Sequence, residues 1–333
     1  MADHATPATP ELWQPVAQTV LPVIPPYRLD LTATVLRRTP RNLVDILTAD
    51  GRYLRAISGA ASPLALQVMQ PRPDGPLEAT LYSSGSGPVA YDDDLARLVF
   101  TSAARTLGTR VDLEGFYEMA TRERDLLEIA RAARGVKPPR YRSLWEAICN
   151  AVVYQQVSLE AATSTMRRFV AHFGRPVSFG GYPLYTFPPP DSVVQTGPNV
   201  LRTLGLSANK ARALQEAAAT LLAGKLRAED LEELPSQEAM SRLTALRGVG
   251  PWTAAVILLR GFGRLDVFPE GDSVFPANDS SVARNLRLVG GPAAPDVELL
   301  LDTLGPERGM LYYHLLLWRL NQRGVINLAP GES

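Results

Sequence analysis

Three short strings in this chain combine residue types and spacings that could do chemistry. The first is Arg247-Gly248-Val249-Gly250, which separates the apolar-faced runs SQEAMSRLTAL and PWTAAVILLRGF. So short a link between two helices needs backbone torsions that a Cβ resists, and glycine supplies them. Pro251 suits the first turn of the second helix, where its missing N–H would be unpaired anyway. The amides of the turn and of that first helical turn then point one way and form an anion site without side-chain charge, suited to a phosphate. A plain αα-hairpin with a glycine turn has the same local signature, so the turn alone carries no more than that. The second string is a doubled loop pattern, FPEGD (268–272) and then FPAND (275–279), which sets Asp272 and Asp279 beyond the second helix. The third is Gln155-Gln156 within VVYQQVS, two amides in an otherwise apolar helical run. Polar groups are costly there unless they have work, either outward or in joining the flanking helices.

The elements that must hold these strings fall into two kinds. Residues 1–26 contain six prolines and end in Pro25-Pro26, which reads as a loose arm. YRLDLTATVLRR alternates apolar and polar residues, and LVDILTADGRYLRAI forms two short runs around Asp50-Gly51, a hairpin signal. ALQVMQPRPDGPLEATLYSS is a further strand pair around Asp74-Gly75, and DDLARLVFTSAARTLG (93–108) is a helix. From about residue 113 the period is helical nearly throughout. Ser143-Leu-Trp-Glu146 is a capping box opening SLWEAICNAVVYQQ, and LEAATSTMRRFVAHFG follows. Arg175 to Pro190 reads as a proline- and glycine-rich loop, after which Asp191 can cap a helix. ANKARALQEAAATLLAG, the two hairpin helices and GMLYYHLLLWRLNQRG complete the series. The expected fold class is α+β: an arm over 1–26, an antiparallel-sheet domain over 27–112, and a helical domain over 113–328 in two subdomains with a cleft between them.

Composition bounds the chemistry. The chain has 333 residues, 46% hydrophobic and 20% charged, with a net charge of zero. That is an ordinary globular composition of two-domain size. A protein that coats nucleic acid non-specifically is normally basic, so any such partner must be held by a local site. One cysteine, Cys149, and three histidines leave no disulfide framework, thiolate metal site or iron–sulfur cluster to build. Cys149 lies in an apolar helical run and reads as a small buried side chain. No apolar run reaches membrane-spanning length and no basic-then-apolar leader opens the chain, so the expected location is the cytoplasm, with no membrane partner.

LxxLRGVGPWTA, the apolar helix behind it and the Phe-Pro loop with aspartates together resemble the helix-hairpin-helix DNA glycosylase superfamily. Within it the closest resemblance is to the AlkA-like 3-methyladenine DNA glycosylase II family. The likeness extends to PPRYRSLWEAICNAVVYQQVS (138–158), FPPPDSVV (187–194) and LRTLGLSANKA (201–211), and covers most of residues 113–325. It implies a monomeric base-excision repair enzyme that acts on double-stranded DNA with damaged bases, associated with the nucleoid. Such an enzyme flips the damaged nucleotide and hydrolyses the N-glycosidic bond of alkylated purines such as 3-methyladenine and 7-methylguanine. A carboxylate stabilises the oxocarbenium-like sugar or activates the water that captures it.

The resemblance puts that aspartate after the hairpin's second helix. Asp272 has the family's spacing from Gly250, whereas Asp279 is followed by SSVARNLRLV, a helical continuation of the family's kind. Pro276 prevents Asp272 from opening a helix of more than a turn, so Asp279 is preferred as the catalytic residue. Asp266 is read as a loop carboxylate. Trp252 occupies the family's position for an aromatic that stacks a cationic base, with Tyr154 as a second pocket candidate. Bifunctional members carry a lysine at the Trp252 position and form a Schiff base, so tryptophan implies a monofunctional hydrolase. DNA contacts are expected from Gly248, Val249, Gly250, Thr253 and Arg247, with Gln156 as the wedge that fills the vacated stack and Gln155 beside it. Lys210 and Arg284 are further candidates for phosphate contact. Glu307 stands where the family often has an aromatic, which bears on pocket shape. No cofactor is expected beyond a monovalent cation at the hairpin. A DNA-binding protein that kept the hairpin and lost the chemistry is the competing class, but would need neither Asp279 nor Trp252. A helical interaction scaffold would leave the Gln-Gln pair and the doubled FPxxD strings without a purpose.

Overall fold

The computed structural model describes residues 13–58, 64–85, 93–269 and 297–328. The chain opens with strand β1 (Trp13–Leu21), helix α1 (Leu29–Arg37) and strands β2 (Ile46–Leu47), β3 (Tyr53–Ile57), β4 (Leu64–Met69) and β5 (Leu77–Ser84). Helices α2 (Asp93–Thr106), α3 (Glu114–Arg122), α4 (Arg124–Ala132), α5 (Leu144–Val153) and α6 (Leu159–Phe173) follow. A short hairpin, β6 (Pro176–Phe179) and β7 (Tyr182–Tyr185), precedes α7 (Pro190–Val194), α8 (Pro198–Thr203), α9 (Ala208–Leu222) and α10 (Ala228–Glu233). The last described elements are α11 (Ser236–Thr244), α12 (Pro251–Ile257) with a π-helical turn (Leu258–Phe262), α13 (Val297–Leu304) and α14 (Gly309–Gln322). The fold is α+β, an antiparallel five-stranded sheet followed by a helical domain.

Both hairpins marked by Asp-Gly form as expected, β2–β3 around Asp50-Gly51 and β4–β5 around Asp74-Gly75. Three expectations are corrected. Trp13–Leu21, read as part of a loose arm, is an edge strand paired with β5 along its length, from Trp13 opposite Ser84 to Leu21 opposite Leu77. Pro15 is tolerated because an edge strand does not need every N–H, and the register shifts beside it. Residues 29–37, whose alternation suggested a strand, are helical and buried at seven of nine positions. A helix enclosed on all sides shows no polar stripe, so its apolar pattern misleads on period. The loop expected after Arg175 contains the β6–β7 hairpin. Val177, Phe179 and Leu184 of that hairpin pack with Leu54, Ala56 and Ala65 on the outer face of the sheet. That cover explains why β3 is buried at every residue whereas β5 alternates.

Two buried guanidiniums fasten the sheet domain to the helices. Arg55 of β3 holds Asp45 at 2.7 Å and Glu146 of α5 at 2.6 Å, with all three side chains at most 5% exposed. The expected capping box is therefore half formed: Ser143 accepts the Glu146 amide at 3.1 Å, while the Glu146 carboxylate is given to Arg55. Burial still raises the Glu146 carboxyl, and the facing Arg55 opposes that shift. Arg260, in the π-helical turn and fully buried, donates to the carbonyls of Val35 at 2.9 Å and Leu36 at 3.4 Å. A cation there also meets the negative end of the α1 dipole. Where that turn passes α5, a Cβ on Gly261 would lie 2.9 Å from Ala147 Cβ, so only glycine admits the crossing.

His314 of α14 is fully buried against Phe116 of α3, with ring centroids 4.7 Å apart, and Nδ1 lies 2.9 Å from the Met310 carbonyl. Desolvation pushes its pKa down from 6.5 to about 4. The folded protein therefore keeps the ring neutral while the unfolded chain protonates, so stability is lost as pH falls from 6.5 towards 4. Chemical denaturation of the wild type should show a loss of about 2 kcal/mol between pH 7 and pH 5 that His314→Leu does not show. Parallel pH profiles for the two proteins would sink this assignment.

Candidate DNA-binding hairpin and base pocket

α11 and α12 meet across Ala245–Gly250, and the turn's conformation is set by one glycine. Gly248 sits at φ 76°, and a Cβ there would lie 2.9 Å from Ala213 Cβ on α9. Gly250 has an ordinary φ of −87° and nothing within 4 Å of its missing Cβ, so its lack of a side chain keeps space open rather than relieving strain. The Val249 amide donates to the Leu246 carbonyl at 3.1 Å and its side chain is buried. Val249 thus holds the turn together, and the outward-facing donors are those of Gly250, Trp252 and Thr253, at the start of a helix where amides have no partner in the helix. Pro251 contributes no N–H, as expected.

An open groove of about 630 Å³ runs along the hairpin, lined by Gln155, Gln156 and residues 244–253. The structure brings the hairpin, Trp252 and the Gln-Gln pair onto one surface. The two glutamines do different work. Gln155 donates its amide to the Gly248 carbonyl at 2.8 Å and to Thr253 Oγ1 at 2.5 Å, so it bridges the end of α5 to the hairpin. The Thr253 side chain is buried and accepts that bond, which makes its hydroxyl part of the support while its amide faces outward. Gln156 is exposed and stands at φ 52°, a left-handed conformation that a non-glycine residue holds only under constraint. α5 ends at Val153, so both glutamines lie in the α5–α6 turn and not inside a helix.

Lys210, expected to touch phosphate, instead donates to the carbonyls of Val153 at 3.0 Å and Gln155 at 2.6 Å. It caps the C-terminal end of α5 and fixes the turn from which Gln156 projects, and burial lowers its pKa. Arg247 pairs with Glu216 at 3.0 Å on the exposed surface. Glu307 is turned away from the groove: Cβ on Gly115 would lie 3.1 Å from its Oε1, so the carboxylate faces the first turn of α3. Burial and Asp112 push that carboxyl up. The two aromatic candidates do not line one cavity among the described residues. Trp252 is on the hairpin groove, whereas Tyr154, half-buried, has the Arg38 guanidinium 4.1 Å over its ring and places its hydroxyl 3.5 Å from Thr163. Asp272, Asp279 and Arg284 lie outside the described residues. Arg38 was missed by sequence reading, because nothing in TVLRRTP shows that its side chain crosses to the helical domain.

Residues 149–304 match the family described as HhH-GPD superfamily base excision DNA repair protein. That segment, which contains the hairpin, is thus similar to the HhH-GPD superfamily. The chain is 28% identical over 211 residues to a DNA-3-methyladenine glycosylase of Bacillus subtilis, a match covering 63% of this chain and 67% of the relative. Two further relatives are matched over 58% and 36% of their own lengths. A 3-methyladenine DNA-glycosylase from Archaeoglobus fulgidus has the same fold, with a TM-score of 0.71 at 21% identity, covering 92% of this chain and 99% of that one. A Clostridium acetobutylicum 8-oxoguanine glycosylase/lyase in complex with double-stranded DNA also shares it, with a TM-score of 0.68 at 14% identity over 94% and 99% of the two chains. No described helix is long and apolar enough to cross a membrane.

Gly248 and Gly250 should separate in a paired test of thermal unfolding and duplex binding. Gly248→Ala forces a side chain onto Ala213 at a left-handed φ and should cost about 1–3 kcal/mol of stability. Gly250→Ala should melt within about 0.5 kcal/mol of the wild type yet bind duplex more weakly, because its Cβ enters the groove beside the donating amides. Full duplex affinity in Gly250→Ala would remove the groove from consideration.

Proposed function

We propose that the protein is a monofunctional DNA glycosylase that removes alkylated purines from duplex DNA by flipping the nucleotide and hydrolysing its N-glycosidic bond. The observation that carries this reading is Trp252 at the first turn of α12, on the same groove as the hairpin amides and Gln156. The hairpin amides hold a backbone phosphate, Gln156 fills the vacated stack, and Trp252 offers a π-face to a purine that methylation has made cationic. Such a base is already a good leaving group, so the remaining task is to stabilise the sugar cation and deliver water. Asp279 is assigned that role, ahead of Asp272. The names of the relatives support the substrate class.

Lysine usage supports the absence of a lyase step. The chain has three lysines, Lys137, Lys210 and Lys225. Lys137 is fully buried with its ammonium on the Val111 carbonyl, Lys210 is committed to the end of α5, and Lys225 follows α9 outside the groove. No lysine amine among them is placed to attack a sugar in that groove. A cation at the hairpin would have to be held by main-chain oxygens; Leu246 and Gly248 already accept protein donors, and no step depends on one.

Incubation with methylated duplex DNA should release free 3-methyladenine or 7-methylguanine, and release no greater than background would overturn the reading. Asp279→Asn should lower single-turnover excision by at least about a hundredfold, more than Asp272→Asn does. Borohydride should trap no protein–DNA adduct.

A further inference from the structure

A second groove, of about 800 Å³, lies between the edge strand β1 and helix α2. Its α2 wall carries Asp93, Ala96, Arg97, Phe100, Ala104 and Arg105, the spacing of one continuous helix face about 18 Å long. The opposite wall is β1. Ala17, Gln18 and Thr19 all line the groove, although neighbours in a strand point to opposite faces, so it runs along the strand's edge. β1 pairs with β5 on one side, and its outer main-chain edge pairs with no strand among the described residues. Sheet edges are normally blunted by charge, proline or a bulge. In β1 the proline and the register shift stand at its start, at Pro15; residues 17–21 carry neither charge nor proline, and Val20 is 59% exposed.

The groove is also cationic. Arg97, Arg105, Arg110 and Arg140 line it against one carboxylate, Asp93. Arg97 and Arg105 pair on the surface with Asp94 and Glu232, whereas Arg110 has no ion-pair partner among the described residues. Arg140 is held in place by Gly263, which stands at φ 69° and leaves no room for a Cβ beside the guanidinium. Its Nε is buried with no hydrogen-bond partner, and its side chain makes no ion pair among the described residues. Burial lowers its pKa and the neighbouring Arg105 lowers it further. An uncompensated, half-buried guanidinium beside an unpaired strand edge asks for a ligand with both a main chain and carboxylates.

We propose that this groove docks an extended, acidic segment of a partner protein, which adds to the edge of β1 and places its carboxylates on Arg110 and Arg140. Main-chain bonds to β1 hold the segment, and its alternate side chains select against the α2 face. A groove of about 18 Å takes about six extended residues. A second copy of this chain fits poorly through the same strand, since Trp13–Leu21 has no acid to offer. The hairpin turn lies at the far end of α12 from Gly263, about 18 Å away along the helix, so a duplex held there and a segment held here do not compete. The proposal goes beyond the excision reaction and does not depend on it.

The probe is a fluorescent peptide of about six residues alternating glutamate and valine, with a lysine–valine peptide as control. Anisotropy should show saturable binding of the acidic peptide alone, weakened about tenfold in Arg140→Gln and severalfold in Arg110→Glu. Hydrogen exchange of the β1 amides should slow when the acidic peptide binds. No saturable binding, equal binding of the lysine peptide, or unchanged affinity in both variants overturns the proposal. Should Arg140→Gln not fold, unchanged affinity in Arg110→Glu overturns it by itself. Binding that leaves exchange in β1 unchanged overturns it as well, as does displacement of the peptide by an undamaged duplex, which would make the groove a nucleic-acid contact.

Discussion

Everything near the hairpin depends on where α5 lies, and α5 is placed by one buried charge network. Arg55 of the sheet holds both Asp45 and Glu146, and Glu146 is the third residue of α5. Losing one member of such a network strands a charge in the interior, at roughly 3–5 kcal/mol, which is why it acts as a fixed point. From that point α5 runs about 12 Å at the usual rise per residue before it delivers Tyr154, Gln155 and Gln156. The sheet domain, remote in sequence from the hairpin, therefore sets the position of the exposed glutamine.

The far end of α5 is held just as firmly, by neutral groups and a spent lysine. Lys210 from α9 closes the last carbonyls, and Gln155 ties the turn to Gly248 and Thr253. α9 also carries Ala213, whose methyl sets how closely the hairpin can approach. One helix thus governs both the turn that presents Gln156 and the turn that presents the amides. With the support fixed in this way, Gln156 can be exposed and conformationally strained without being loose.

The readable parts of the sequence were those whose cause is local. The hairpin shows because glycine and proline must stand where torsions demand them, and the long helices show through their apolar period. The failures share a physical reason too. α1 is enclosed on all sides, so it has no polar face to reveal its period. β1 carries Pro15, which a central strand could not hold and an edge strand can. Glu146 looked like a cap because its spacing from Ser143 is right, yet a guanidinium from the sheet outcompetes a backbone amide for its carboxylate. That the Thr253 hydroxyl and the Lys210 ammonium are spent on support was not legible, because polar side chains near such a turn look alike in one dimension. Which face outward and which prop the turn is decided by neighbours more than forty residues away.

The same details show where several of the basic residues are used. Of the 34 basic residues only three are lysines, and several of the arginines that matter most are interior parts: Arg55 bridging two acids, Arg260 on the end of α1, Arg38 on Tyr154. Guanidinium suits this use, since its planar fork of donors and weak hydration let it lie against rings and carbonyls where an ammonium would be costly. Those three guanidiniums are thereby withdrawn from the surface, and on the proposed reading a duplex phosphate would be held at the hairpin by main-chain amides whose partial charges are fixed by the fold. Such donors hold a phosphate in one register and add little long-range attraction. On the proposed reading, a surface of that kind would grip a duplex only where the hairpin fits.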